Sequence, residues 1–233
     1  MNTDERKEAF KQYIETCMNK SEQEPIGIGN PYAKILLIGK ESSPTGKPNV
    51  EVDNRNVKRC FENDDLENLF EQPRHHVANH TWNIYQKLID QVRGYACTNK
   101  EKNDFCRDAF TTEINNTVCQ NTRKAVRKLR IETFKNSEFI KGFPVIILAC
   151  SNYIRNEEGN WQINDTFDVT FDEVDGAHTY PSSKTNWYFT HHSKDGKRLV
   201  IHTRQLSQNC MNQLVSDIAE EIKKHLEKIG ETL

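Results

Sequence analysis

The sequence contains no long apolar run and no apolar leader. Across its 233 residues, no stretch approaches the roughly 20 consecutive apolar residues that a membrane-spanning helix requires. Residues 1–8 are rich in charge and lack the apolar core of a secretory signal peptide. A hydrophobic fraction of 35% with 28% charged residues is typical of a soluble globular domain. These features predict a protein of the cytoplasm that has no membrane partner.

The sequence also lacks paired cysteines. Its seven cysteines form no Cys-x-x-Cys pair, their number is odd and their spacing is irregular. A disulfide framework or a four-thiolate metal site is therefore not expected. The neighbouring histidines at 75–76 and 191–192 do not change this view, because adjacent residues on a strand point to opposite faces. We expect reduced thiols, no metal and no cofactor.

No excess of one charge is present. The formal net charge is −2, with 32 basic and 34 acidic residues, and the pI is near 6.5. This balance does not indicate a large nucleic-acid-binding surface, although a local basic patch is compatible with it. The basic residues between positions 123 and 130 are interpreted as the solvated face of a helix: Arg123, Lys124, Arg127, Lys128 and Arg130.

Apolar periodicity predicts helices that alternate with strands. The predicted helices cover 3–18, 81–92, about 121–134 and 207–229, and the predicted strands cover 34–39, 110–114, 144–150, 186–190 and 198–202. Residues 44–73 are predicted to form a long polar loop with a short helix at 64–70, and residues 156–183 a polar insertion. This order predicts one domain over 1–233, a three-layer α/β/α fold with helices on both faces of a mainly parallel sheet of about four strands.

The end of the first predicted strand is the most informative point of the chain. The unbroken apolar run of residues 35–38 is typical of a strand buried on both faces. Gly39 permits a close approach of a ligand to the backbone. The polar residues Lys40, Glu41, Ser42 and Ser43 follow directly, where ligands bind in open α/β sheets.

Polar side chains follow two further predicted strands. Asn116 comes after the second strand and His202 ends the last one. If these strands are parallel neighbours, Glu41, Asn116 and His202 share one edge of the sheet. An amide can read paired donors and acceptors, an imidazole can stabilise negative charge on an oxygen, and a carboxylate can orient water. This set is suited to a heterocycle and a water molecule.

In these positions the chain resembles the uracil-DNA glycosylase superfamily. Residues 27–43, Gly-Ile-Gly-Asn-Pro-Tyr-Ala-Lys-Ile-Leu-Leu-Ile-Gly-Lys-Glu-Ser-Ser, are similar to its first motif, an apolar strand that leads into a water-activating loop. Asn116-Thr117-Val118 resembles the element whose Asn binds uracil. The sequence from His202 to Ser207 is similar to the His-Pro-Ser-Pro-Leu-Ser motif before the last helix.

The resemblance implies hydrolysis of the N-glycosidic bond of uracil or a related damaged base flipped out of DNA. Glu41 would position the water and His202 would stabilise the departing base, while Asn116 would read its edge. Gly39 and Lys40 would supply backbone near the base, and Leu206 would enter the duplex. The chain departs from the family pattern at two places. Ser42 and Ser43 replace the usual Pro and the Tyr that excludes thymine, and Arg204 lies in a Thr-Arg-Gln sequence where phosphate contacts are expected to differ.

Each of these residues also has a purely structural interpretation. Glu41 could be a surface carboxylate, Asn116 a turn or cap residue, and His202 a core histidine bonded to a carbonyl; Leu206 could pack against the last helix. The three tryptophans, Trp82, Trp161 and Trp187, are interpreted as packing residues. The alternatives to a monomeric DNA glycosylase are a non-catalytic nucleic-acid or nucleotide binding protein on the same fold and a small-molecule hydrolase.

Overall fold

The computed structural model describes residues 2–20, 24–40, 50–65, 67–71, 80–95, 104–115, 124–207 and 209–233. The helices in these ranges are α1 (Thr3–Lys20), α2 (Val50–Glu62), α3 (Glu67–Glu71), α4 (His80–Val92), α5 (Lys124–Lys135), α6 (Glu138–Lys141), α7 (Gln162–Phe167) and α8 (Asn212–Lys228). The strands are β1 (Ile28–Gly29), β2 (Ile35–Gly39), β3 (Ala109–Glu113), β4 (Val145–Leu148), β5 (Thr170–Phe171), β6 (Ala177–Tyr180), β7 (Ser183–His192) and β8 (Leu199–Thr203). Short 3₁₀ turns cover Phe105–Arg107 and Ser151–Tyr153.

All of these strands belong to one mixed sheet of eight strands, in the order β1-β3-β2-β4-β8-β7-β5, with β6 paired to β7. The central strands β3, β2, β4 and β8 are parallel to one another. β1 adds antiparallel to one side, and β7 adds antiparallel to the other and pairs with β5 and β6. The predicted α/β character is confirmed, but a sheet of about four strands was too small a prediction. The additional strands are either two residues long or polar on the outside, so they leave little periodic signal.

The two faces of the sheet carry separate apolar clusters. Leu36, Ile38 and Ile146 pack on one face with residues of α1, α2, α5, α6 and α7. Ile35, Leu37 and Ile147 pack on the other face with residues of α4 and α8. The alternation of side chains along a strand therefore accounts for the fully apolar sequences of β2 and β4.

The first helix begins at the predicted residue, Thr3, and ends two residues later than predicted, at Lys20. Asn2 Oδ1 accepts a hydrogen bond from the backbone N–H of Glu5, and Glu5 Oε2 accepts one from the backbone N–H of Asn2, both at 2.9 Å. This reciprocal arrangement satisfies donors that the first turn of a helix leaves unpaired. Asn2 is thus the N-cap of α1.

The described parts of two segments that looked irregular in sequence contain helices and strands. α2 lies inside the predicted 44–73 loop, where the buried side chains of Asn54, Val57 and Cys60 form a narrow stripe on a polar helix. The predicted insertion at 156–183 supplies α7, β5 and β6, and both strands pair with β7. These short strands form because they pair with β7, and a local sequence pattern does not reveal such pairing.

Arg130 corrects the interpretation of the basic cluster. Its side chain is 1% exposed and donates to Glu24 Oε1 at 3.1 Å and to the Tyr13 hydroxyl at 2.8 Å. It also donates to the carbonyl oxygen of Glu113 at 3.0 Å, at the end of β3. Only Lys128 of this cluster has a described side chain on the helix surface, because Arg130 turns inward to join α5 to α1 and β3.

Candidate functional site

The register of the parallel strands brings the predicted strand ends to one edge of the sheet. Gly39 pairs with Glu113 of β3, Ile38 pairs with Leu148 of β4, and Leu148 pairs with His202 of β8. Since neighbouring strands lie about 4.8 Å apart, the ends of β2 and β8 are separated by roughly 10 Å. Lys40 and His202 also share a sheet face, because Ile38 and Val200, each two residues earlier, lie in the same apolar cluster.

A cleft of about 930 Å³ opens at this edge. It lies between α5, the segment 152–160 that follows β4, and the ends of β7 and β8. Its aromatic walls are Tyr153, Trp187 and Phe189, and His202 also lines it. Its other polar residues are the amides Asn152, Asn156, Asn160 and Gln162 and the charged residues Lys128, Glu132, Arg155 and Glu157.

His202 lies at the buried end of the cleft and is 4% exposed. Its Nε2 is 2.8 Å from the carbonyl oxygen of Ser151. Burial lowers the pKa of His202 to about 4, so the ring is neutral near pH 7. A carbonyl only accepts hydrogen bonds, so the ring proton is on Nε2 and Nδ1 carries a lone pair. Nδ1 has no hydrogen-bond partner among the described residues.

Ser151 connects the ends of β4 and β8. Its backbone has a φ of 51°, a left-handed conformation that is uncommon for a residue with a side chain. Besides the carbonyl that accepts from His202, its Oγ accepts from the backbone N–H of Gln205 at 3.1 Å. Such backbone strain is retained where surrounding contacts enforce it, often at functional sites. Ser151 therefore determines which nitrogen of His202 carries the proton.

Gly39 ends β2, and Lys40, which follows it, contacts the cleft residue Tyr153. A Cβ at Gly39 would lie 3.4 Å from the hydroxyl of Tyr85, which is an ordinary van der Waals contact. Lys40 Nζ lies 4.8 Å from the centre of the Tyr153 ring, which lines the cleft. Burial raises the pKa of the Cys150 thiol to about 12, and the nearby Lys40 ammonium partly offsets this effect. Lys40 thus brings positive charge to the strand ends.

The residues after β8 are held by the protein itself. Arg204 Nη1 donates to the carbonyl oxygen of Asn209 at 3.0 Å and to Thr185 Oγ1 at 3.4 Å. Leu206 is 1% exposed and belongs to the apolar cluster that contains Leu214 of α8. Entry of Leu206 into a duplex would require it to leave this cluster.

Glu41, Ser42, Ser43 and Asn116 lie outside the described residues. The chain is described up to Lys40 at the end of β2 and up to Asn115 after β3. Asn115 is buried, with 1% of its surface exposed. The predicted roles of the four residues therefore remain predictions.

The paired histidines occupy separate environments. His191 is buried, its Nδ1 lies 2.9 Å from Asn164 Oδ1, and burial lowers its pKa to about 3. The ring of His192 lies 6.0 Å from that of His225. His75 and His76 are not among the described residues. Within the described ranges, no group of three or more His, Cys, Asp or Glu side chains is arranged to hold a metal ion. Nor does any helix in those ranges combine the length and apolarity needed to cross a membrane.

Several cleft residues were missed by the sequence reasoning. Ser151, which contacts His202, and Tyr153, which lines the cleft, come three and five residues after the end of β4, so the rule that ligands bind beyond strand ends could have identified them. Trp187 and Phe189 alternate along β7, and an alternating pattern places both on one face. The amides at 152–160 had no signal of their own, because polar residues are ordinary in a connecting segment.

Comparison with known proteins found no matching family model, no matching curated protein and no matching solved structure.

Proposed function

We propose that this protein is a DNA glycosylase-like hydrolase of the uracil-DNA glycosylase type, with a three-layer α/β/α fold. Its substrate would be uracil or a related damaged base in DNA. One observation supports the proposal: the parallel strands β3, β2, β4 and β8 end at a single edge of the sheet, and the cleft opens there. The free thiols among the described cysteines suit the reducing cytoplasm.

The cleft has the chemistry that a flipped base requires. Tyr153, Trp187 and Phe189 offer aromatic surface to a planar ring, and the amides of the 152–160 segment offer donors and acceptors to its edge. In the tautomer that Ser151 selects, His202 Nδ1 is a buried acceptor without a partner among the described residues, and a ring N–H of the base would reach it only after the cleft side chains rearrange.

The reaction breaks the bond between the sugar C1′ and the base nitrogen, and the bonding electrons leave with the base. Water then adds to C1′, and the proton that it loses finally neutralises the departed base anion, which leaves a free base and a C1′ hydroxyl. The Lys40 ammonium, near the Tyr153 ring, stabilises the negative charge that develops on the base. Glu41, which follows Lys40, would orient the water, and Asn116, which follows Asn115, would read the base.

The decisive test is release of free uracil from single- and double-stranded oligonucleotides that contain it. We expect excision by the parent protein, and a rate about 100-fold lower for His202→Ala, the usual scale for loss of one positioned polar group. Absence of base release at enzyme excess, from protein whose circular dichroism shows it folded, would refute the activity. A Glu41→Ala variant as active as the parent would refute only the role of Glu41.

A second candidate is a non-catalytic binding protein for nucleic acid or nucleotides. Two observations favour it: Leu206 is packed in the core, and the Nε2 proton of His202 is donated to Ser151. Salt-dependent DNA binding without base release would identify this function. Hydrolysis of free nucleosides or esters without DNA binding would instead identify a small-molecule hydrolase.

A further inference from the structure

Four aromatic side chains form a continuous row beside the cleft. The row consists of Trp161 before α7, Phe171 in β5, and Phe189 and Trp187 in β7. Successive ring centres are 5.5 Å apart from Trp161 to Phe171, 6.0 Å from Phe171 to Phe189 and 5.1 Å from Phe189 to Trp187. All four side chains are partly exposed. We refer to these four residues as the aromatic row.

The row leads directly to His202. Trp187 and Phe189 are two residues apart on β7 and therefore share a face of the sheet. The ring of Trp187 is 5.0 Å from that of His202 and nearly perpendicular to it, at 71°. Trp187 and Phe189 line the cleft, while Trp161 and Phe171 continue the row away from it. The surface is thus an extension of the site at His202.

The polar groups around the row are suited to heteroaromatic rings. The amide side chains of Asn160 and Gln162 flank Trp161 in sequence, and both line the cleft. Lys128 and Arg155 bring positive charge to the cleft, and Glu132 and Glu157 balance it. Lys128 and Arg155 form no ion pair with another described residue. An anionic backbone can therefore be contacted at these cations, but the cleft has no large excess of positive charge.

We infer that the aromatic row is a stacking surface for the bases of single-stranded nucleic acid, next to the nucleotide held at His202. This inference rests on the proposed function and specifies the form of its substrate. In a duplex the faces of the bases are covered by their neighbours, so only unpaired bases can lie against the rings. Aromatic side chains bind single strands in this way with little sequence preference, because every base has a π face. The predicted insertion at 156–183 accordingly contributes Trp161 and Phe171 to substrate binding.

The test is binding of oligodeoxythymidylate, a single strand with no uracil to excise. Fluorescence anisotropy of the labelled strand gives the affinity. Intrinsic fluorescence gives the location, because the chain has three tryptophans and the row contains Trp161 and Trp187. The third, Trp82 in α4, packs with the apolar cluster of the opposite sheet face. A Trp82→Phe background therefore reports on the row alone.

We expect the strand to quench the fluorescence of the Trp82→Phe protein. Trp187→Leu should bind about tenfold or more weakly, whereas Trp187→Phe, which keeps a ring, should bind close to the parent value. Trp161→Leu, at the outer end of the row, gives the same test if Trp187→Leu is poorly folded. Trp82→Leu is the matched control and should bind as the parent does. Thermal unfolding of each variant confirms that it is folded.

Salt dependence provides an independent criterion. Each phosphate neutralised on a single strand contributes about −0.7 to the slope of log K against log salt concentration, so contacts from Lys128 and Arg155 give a slope near −1.4. A much steeper slope together with unchanged binding by Trp187→Leu and Trp161→Leu would overturn the inference. So would absence of quenching, even if uracil is excised. Quenching that depends on the row, without any excision, would support the inference and refute the proposed function.

Discussion

The buried ion pair of Arg130 and Glu24 allows a sharp test of how the fold supports the strand ends. Arg130 is 1% exposed and Glu24 is 4% exposed. The guanidinium also donates to the Tyr13 hydroxyl and Thr112 Oγ1, each at 2.8 Å, and to the carbonyl oxygen of Pro25. Glu24 Oε1 accepts in addition from Thr133 Oγ1 at 2.8 Å. The perturbation is Arg130→Met. Methionine keeps an unbranched side chain like the aliphatic stem of arginine and removes the positive charge.

The loss of Arg130 leaves the Glu24 carboxylate buried without its cation. Removal of one partner of a buried pair costs about 3–5 kcal/mol, because the remaining charge has lost its compensation. For a protein of 233 residues this corresponds to a fall of roughly 10 °C in melting temperature. The exposed Lys128, two residues earlier on α5, is the matched control, and Lys128→Met should change stability by less than about 0.5 kcal/mol.

The assay is urea unfolding followed by circular dichroism, applied to Arg130→Met, Glu24→Met and the double variant. Replacement of both charges by apolar groups is often neutral, so the double variant should be clearly more stable than Arg130→Met. If Arg130→Met unfolds at the same urea concentration as Lys128→Met, the pair does not hold α1, β3 and α5 together. If the two single effects simply add in the double variant, the reasoning from an uncompensated charge is refuted.

Two further predictions concern acid sensitivity and Leu206. Burial lowers the pKa of His202 to about 4 from the ordinary 6.5, so below pH 6.5 the unfolded chain binds the proton more readily and stability falls until about pH 4. At pH 5 this one group costs about 2 kcal/mol, and His202→Gln should lose less stability than the parent between pH 7 and pH 5 in thermal unfolding. Leu206→Ala should reduce the free energy of unfolding by about 2–5 kcal/mol, because the side chain is 1% exposed and lies in an apolar cluster. Urea unfolding measures this change, and an unchanged stability would show that Leu206 does not pack there.

The parallel core was predictable because its strands are buried on both faces. The runs at 35–38 and 145–148 are apolar throughout. Such unbroken apolar runs are typical of parallel strands that are covered on both faces. The antiparallel side of the sheet was only partly predictable. β7 and β8 were foreseen, but β5 is only two residues long, and one of them, Thr170, is polar and exposed. Its existence depends on pairing with His191 and His192 of β7.

The candidate site shows the same division. The sequence placed Gly39, Lys40 and His202 at strand ends, because position along the chain determines which residues end or follow a parallel strand. The burial of Arg130 could not be recognised from the sequence. A run of basic residues on a helix does not show whether all of them face water or one of them turns inward. Trp161 and Trp187 were interpreted as packing residues for a related reason: the sequence around a tryptophan does not record how much of its side chain stays exposed.

The sequence by itself determined the α/β class, the buried parallel strands, the first helix with its Asn2 cap, and the placement of polar residues after the strand ends. These features depend on local periodicity and on hydrogen bonds between residues close in the chain. Only the tertiary structure decided the size of the sheet, the burial of Arg130 and Leu206, the tautomer of His202 set by Ser151, and the meeting of the row with the cleft. Each of these depends on a partner distant in sequence, and the contact energy that selects it exists only after the chain has folded.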